Sequence, residues 1–246
     1  MKPKLVTNNT AQLRRNLIEW YQSPQGTNLR LLESNYLSRT VSFRYNQTIL
    51  QIGSLGWENE YLAHDCRYRF LVVDYAMLAD ASTSRIIARC DQIPLASECV
   101  DVVIIPHCLE FETHQHAVLR EAERVLKPEG HFILLGFNPW SLQSLYHFRQ
   151  GRRGIVPWCG KFLSYPRIRD WLSLLNFEYS VKSGVYFRQS SMVASSESGS
   201  LRLFTAVGYA IKAIKRRYTL IPLKPVRLGA RKLVTVDITS TRRTHG

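Results

Sequence analysis

The sequence predicts an α/β fold in which a largely parallel sheet is covered by helices on both faces. Three observations carry this. Short, near-continuous runs of Val, Ile and Leu recur between residues 48 and 137, as expected of strands buried on both sides. Stretches with helical spacing separate several of them, the pattern of βαβ crossovers. The chain, 246 residues at 45% hydrophobic composition, is long enough to bury a sizeable core in one domain with terminal elaborations.

Taken in order, residues 10–22 and 27–39 read as two short helices divided by the turn Ser23-Pro24-Gln25-Gly26. Leu31, Leu32, Tyr36 and Leu37 are spaced for one apolar face, and residues 1–44 form an N-terminal helical cap. The strands are expected at 48–53, 69–74, 85–91, 100–106 and 131–137. A helix at 113–127 carries the stripe Ala117, Val118, Ala122, Val125 and Leu126, and Pro128 and Gly130 stop it. Another, at 165–177, puts Ile168, Trp171, Leu172 and Leu175 on one side. Serine and glycine crowd residues 189–200, which read as a mobile loop. Residues 206–223 supply a final strand or a short helix. The main domain thus spans 45–223, followed by a basic tail at 224–246.

The net charge of +14 is uneven: +5 over residues 1–50, −6 over 51–140, +5 over 141–200 and +10 over 201–246. Lys212, Lys215, Arg216, Arg217, Lys224, Arg227, Arg231, Lys232, Arg242 and Arg243 could therefore contact the phosphates of a nucleic acid or an anionic lipid. No RNA-binding aromatic motif or zinc-knuckle spacing accompanies them, and a solvated basic surface is the other reading. The five cysteines, Cys66, Cys90, Cys99, Cys108 and Cys159, form no CxxC pair and suggest a reducing compartment. With no signal-like N-terminus and no apolar run of about 18 residues, a soluble, cytoplasmic protein without a membrane span is expected.

In an open parallel sheet, ligands bind beyond the carboxyl ends of the strands. Gly53 follows the first strand, and Asp74 ends the second 21 residues later. That is the spacing at which a carboxylate reaches the ribose hydroxyls of a nucleotide held over a glycine turn. Asp91 ends the expected third strand and could accept from an adenine amino group, with Gln92 and Ile93 flanking the ring. Pro106, His107 and Cys108 follow the fourth strand. Taken singly, such an Asp is equally a helix cap or turn residue; in this order and spacing they favour a nucleotide-containing ligand.

Residues 90–139 carry Asp91 with Ile93-Pro94-Leu95, then Val100-Asp101, His107 through Glu110, Leu119 through Gly130, and the apolar run 131–137. This segment resembles the class I S-adenosylmethionine (SAM)-dependent methyltransferases of the small-molecule methylase type. The likeness extends over roughly 45–185. It is strongest to poorly characterised bacterial methyltransferase-like proteins, through Ile49–Gly53 and Gly136–Ser141. The resemblance implies a Rossmann-like, seven-stranded sheet of mixed direction with SAM over the first four strand ends. Gln51, Gly53, Gly56, Asp74, Asp91, Gln92 and Ile93 would hold the donor. Against the family's DxGxGxG turn, Gln51 replaces the acid, while Leu55 and Trp57 replace the second and third glycines.

His107 is the candidate base, since methyl transfer to a hydroxyl or protonated nitrogen benefits from a group titrating near neutrality. Glu110 either positions substrate or caps the following helix, and Trp140 lines the acceptor pocket. Asn138-Pro139-Trp140 is similar to a motif of amino-methylating DNA enzymes but follows the fifth strand instead of the fourth, so it reads as a turn. No metal site is expected: His114 and His116, two residues apart, fall on different helix faces. Three functions stay open: a methyltransferase for a small-molecule acceptor, a catalytically impaired methyltransferase-fold interaction protein, and an RNA-directed methyltransferase using the basic flanks.

Overall fold

The computed structural model describes residues 3–41, 44–62, 68–74, 84–142, 144–146, 156–179, 184–188, 191–194 and 205–217. Helices α1 (Pro3–Trp20), α2 (Pro24–Thr40), α3 (Gln115–Val125) and α4 (Tyr165–Leu174) surround one sheet. Its strands are β1 (Thr48–Ile52), β2 (Arg69–Asp74), β3 (Ser84–Ile87), β4 (Val100–Pro106), β5 (Leu126–Phe137), β6 (Phe177–Glu178), β7 (Gly184–Arg188), β8 (Ser191–Ala194) and β9 (Ala206–Lys215). The order is β3-β2-β1-β4-β5-β9-β7-β8, with β6 also on β9. Strands β1 to β5 pair in parallel, and β9 runs antiparallel to both β5 and β7. The sheet is of mixed direction as expected, but among the described residues it has nine strands instead of seven, because the two-residue β6 and the edge strand β8 join it.

Successive strand residues point to opposite faces, and this divides the interior in two. Leu50, Ile52, Val103 and Ile105 pack with Val118, Leu119 and Ala122 of α3 and Ile168 and Leu172 of α4. On the other face, Ile49, Val72, Val102, Ile104 and Ile133 pack with Leu17 of α1 and Leu29 and Leu37 of α2. Burying each such aliphatic side chain contributes about 1.5–3 kcal/mol. The N-terminal helices are therefore held chiefly by the sheet, as helices of this length generally need tertiary packing.

Several elements differ from expectation. Both N-terminal helices are longer, and α2 starts at Pro24 because Ser23 accepts from Gly26 N through its hydroxyl and proline suits the first turn. A Cβ at Gly26 would collide with the Trp20 carbonyl, so glycine lets α2 abut the end of α1. Helix α3 ends at Val125 and the chain turns straight into β5, which takes in Pro128 and Gly130. Lys215 Nζ on β9 donates to the carbonyls of Glu123 and Leu126, capping that helix end. Strand β3 stops at Ile87, where its partner β2 stops at Asp74, so Asp91 lies in a turn beyond it. Within the Ser-rich 189–200 stretch, residues 191–194 form β8. Residues 206–215 are strand, not helix. The basic tail at 224–246 and Cys66 lie outside the described residues. No helix among the described residues is long and apolar enough to cross a membrane.

Candidate active site

The turn after β1 contains two glycines in left-handed backbone, Gly53 at φ 96° and Gly56 at φ 79°. Gly53 thus occupies a conformation that other residues rarely adopt. Leu55 and Trp57, which replace the family's glycines, do not line the cleft. They are buried in the core formed with α1 and α2. Gln51 is also buried. Its amide donates to the Gly53 carbonyl (2.7 Å) and to Glu58 (3.0 Å), and Tyr61 donates to its carbonyl. One Glu58 carboxylate oxygen further accepts from Ser54 Oγ (3.0 Å), Leu55 N (2.7 Å) and Gly56 N (3.3 Å). The acid absent at position 51 is thus supplied seven residues later, and it pins the turn by binding its amides.

Asp74, at the end of β2, accepts from Ser54 N at 3.0 Å and is buried. It does reach the glycine turn, as its spacing predicts. Its other oxygen faces a group that sequence reasoning missed: the guanidinium of Arg14, 3.5 Å away. Arg14 is buried, and Nη2 contacts Glu112 (3.3 Å), Cys108 Sγ (2.7 Å) and Cys90 Sγ (3.6 Å). A Cβ built on Gly53 would collide with Arg14 Nη1, so the guanidinium covers the open face of the glycine. Burial opposes its charge, but the surrounding thiols and carboxylates hold it protonated. Burial likewise pushes the Cys108 thiol up. Cys90, Cys108 and Glu112 offer metal-type donors within 4.8 Å of one another, and Arg14 reaches into that cluster.

His107 follows β4 at φ 44° and is buried. Its Nε2 lies 2.8 Å from Glu33 on α2, its Nδ1 lies 3.5 Å from Glu110, and Tyr21 donates to the other Glu33 oxygen at 2.9 Å. Burial pulls the imidazole pKa down, but Glu33 and Glu110 outweigh it and raise it to about 9. The ring is therefore charged at neutral pH, and the expectation of a base titrating near neutrality does not hold. Glu110 accepts from Phe137 N at 2.9 Å, tying the end of β4 to the end of β5. It does not cap α3, whose N-cap is His114.

Beyond β5 a cavity of about 530 Å³ opens between Trp140, Leu145, Trp158, Lys161 and Phe162, within the usual range for small-ligand sites. Trp140 lines it. Asn138-Pro139-Trp140 is a turn in which Trp140 N donates to the Asn138 side chain (3.1 Å). A smaller recess shares Gly160 and Lys161 with the cavity and extends to Leu13, Glu110 and Glu112, toward the Arg14 cluster. Asp91 is not placed against the glycine turn: Arg89 grips it in two hydrogen bonds (2.6 and 2.8 Å), which lowers its pKa. Gln92 is exposed, while Ile93 is buried with its amide bonded to Glu121. His116 stacks on Trp171, away from His107.

The missed residues had a readable signal. Thr10, Arg14, Leu17 and Tyr21 share one buried helical stripe, as do Gly26, Leu29, Glu33 and Leu37. A charged residue within an apolar stripe is rarely buried without a partner, and Arg14 and Glu33 are the two that reach the strand ends.

Residues 50–134 match the family model described as "Methyltransferase domain". The fold is shared with a SAM-dependent methyltransferase from Thermotoga maritima at TM-score 0.63 and 15% identity, covering 84% of this chain and all of that one. Residues 50–134 thus resemble a methyltransferase domain, on a fold shared with a SAM-dependent enzyme. It is 31% identical to the uncharacterised Escherichia coli protein YafS over 159 residues, 65% of this chain and 64% of that protein. It is also 26% identical to the ubiquinone/menaquinone biosynthesis C-methyltransferase UbiE of Rubrivivax gelatinosus over 125 residues, half of this chain and 43% of that protein. The matched segments cover less than two thirds of either curated relative.

Proposed function

We propose that the chain is a SAM-dependent methyltransferase acting on an apolar small-molecule acceptor. The observation that carries this reading is the turn after β1, where Gly53 in left-handed backbone is followed by an amide bonded to Asp74. That arrangement sets a close-approach backbone position at the end of β1 beside a carboxylate suited to ribose hydroxyls. Gly53, Gly56 and Asp74 hold the donor, with Ile93, Gln92 and Asp91 as the adenine-side contacts. SAM, when bound, supplies a methyl group activated on sulfonium. The chain's own residues then have to align the acceptor and exclude water, which in favourable systems is worth about 7–11 kcal/mol.

The acceptor side rests on the aromatic cavity of Trp140, Trp158 and Phe162. The Rubrivivax relative, a C-methyltransferase of quinone biosynthesis, is consistent with an apolar acceptor. Lys161 on the rim, which has no carboxylate partner among the described residues, suits an anionic group on that acceptor. His107, with a proton held toward Glu33 at Nε2, serves as a positioning residue that locks α2 against the end of β4. We place the protein in the cytoplasm.

One observation favours the interaction-protein reading: Glu58 already occupies the turn amides and Arg14 already pairs with Asp74. The RNA-directed reading rests on the basic flanks alone. Calorimetric titration with SAM and S-adenosylhomocysteine separates the first two. Absence of heat, and of any thermal stabilisation, at about 1 mM ligand sinks the enzyme. Retention on heparin and total RNA across a salt series tests the third; unaltered retention after deletion of residues 225–246 removes the tail as the contact.

A further inference from the structure

We propose that α1 is a built-in plug of the donor site with Arg14 as its tip, and that donor binding draws the helix away from the strand ends. The inference rests on the SAM reading above and goes beyond it.

Three features meet at one side chain. The first is position. Gly53 is the residue whose missing side chain lets a nucleotide come close to the backbone, and the Arg14 guanidinium covers that same face. The second is chemistry. Asp74 is the carboxylate placed for ribose, and Arg14 pairs with it at 3.5 Å while Ser54 N binds its other oxygen. A ribose hydroxyl can bond that oxygen in full only when the guanidinium withdraws. The third is charge. SAM is a net cation, its sulfonium unbalanced beside a paired ammonium and carboxylate, so a donor in this site would place that sulfonium in a dry pocket with a buried arginine cation, which like-charge repulsion disfavours.

The contact behaves as a device with two states. A buried arginine is retained only where partners surround it, and here four partners come from three strand ends: Asp74 at the end of β2, Cys90 after β3, and Cys108 and Glu112 on either side of the turn that follows β4. With Arg14 in, the N-terminal helix is latched across three strand ends. With Arg14 out, Asp74, the open face of Gly53 and the Cys90 and Cys108 thiols become available together. The donor site therefore opens as a unit, and its apparent affinity is the intrinsic one reduced by the fraction of molecules with the plug withdrawn.

The test measures S-adenosylhomocysteine binding by the full chain, by Arg14→Ala and by Arg15→Ala, an exposed neighbour that loses the same charge. The expected result is binding by Arg14→Ala roughly 10- to 100-fold tighter than by the unaltered chain, with Arg15→Ala unchanged. Hydrogen exchange over residues 10–20 should rise when the ligand is added to the unaltered chain. Its observed association rate should level off at the rate of helix opening as ligand concentration increases. This last measurement needs no variant and holds even if Arg14→Ala folds poorly. Equal or weaker binding by Arg14→Ala beside clear binding by the unaltered chain overturns the plug alone, weaker binding making Arg14 a donor ligand. So does an association rate that climbs linearly without limit. Absence of binding by every form, Arg14→Ala included, overturns the SAM reading and the plug with it.

Discussion

The charge on His107 gives a stability signature that can be worked out in advance. Its pKa rises from the ordinary 6.5 to about 9 in the folded chain because two carboxylates outweigh burial. At about 1.4 kcal/mol per pH unit, that upward shift corresponds to about 3 kcal/mol. The sign follows from proton binding: the folded state holds this proton more tightly, so the contribution is fully present below about pH 6.5. It is lost as pH rises through about 9. Glu33 on α2 and Glu110 after β4 face the ring, and Tyr21 bonds the far side of Glu33. Urea unfolding across this window should therefore show the unaltered chain losing more stability than a Glu33→Gln variant, in which one of the two charges is gone and Glu110 remains, by up to about 3 kcal/mol. Parallel stability curves for the two proteins from pH 6.5 to about 9.5 would refute the claim that this imidazole is charged by its neighbours.

Asp74→Ala should weaken S-adenosylhomocysteine binding roughly tenfold or more, the value of a hydrogen bond to a charged group, with circular dichroism unchanged; equal affinity by calorimetry means that Asp74 is not the ribose ligand. Glu58→Ala strands Gln51 Nε2, Leu55 N and Gly56 N, so the unfolding free energy should drop by about 2–4 kcal/mol, and a drop under about 0.5 kcal/mol excludes Glu58 as the anchor of the turn. Trp158→Ala should reduce uptake of the apolar anionic dye 1-anilinonaphthalene-8-sulfonate by roughly tenfold, and Lys161→Met should reduce it less; undiminished fluorescence in Trp158→Ala shows that the dye, and an acceptor like it, binds elsewhere.

How much of this was legible in the sequence depends on what each residue answers to. Strands β1, β2 and β4 could be read because burial on both faces writes an uninterrupted apolar run into the chain. The end of β3 could not. Residues 88–91 continue the run, but β3 pairs only with β2, and its length is set by where β2 stops. Asp91 was assigned to a strand end for that reason, and a local partner, Arg89, claims it instead. Asp74 was legible because β1 and β2 are neighbouring parallel strands, which ties its spacing to Gly53. Arg14 and Glu33 meet the strand ends from 60 or more residues away in sequence. Only their odd placement within an apolar stripe marked them. The departure at Leu55 and Trp57 looked like damage to a ligand loop. In the fold it is adaptation to the N-terminal helices, which take both side chains into their own core.

The position of β9 bears on how such a chain is made. It is the last strand among the described residues, yet it lies inside the sheet, hydrogen-bonded to β5 on one side and β7 on the other. Until residues 206–215 have left the ribosome, β5 carries an open apolar edge, and the helix end that Lys215 covers is bare. An edge of that kind invites pairing with other chains, and closure over so long a sequence separation is slow. The nascent protein thus passes through a sheet with a gap in its middle, and the moment of greatest exposure to aggregation or chaperone capture comes just before β9 arrives.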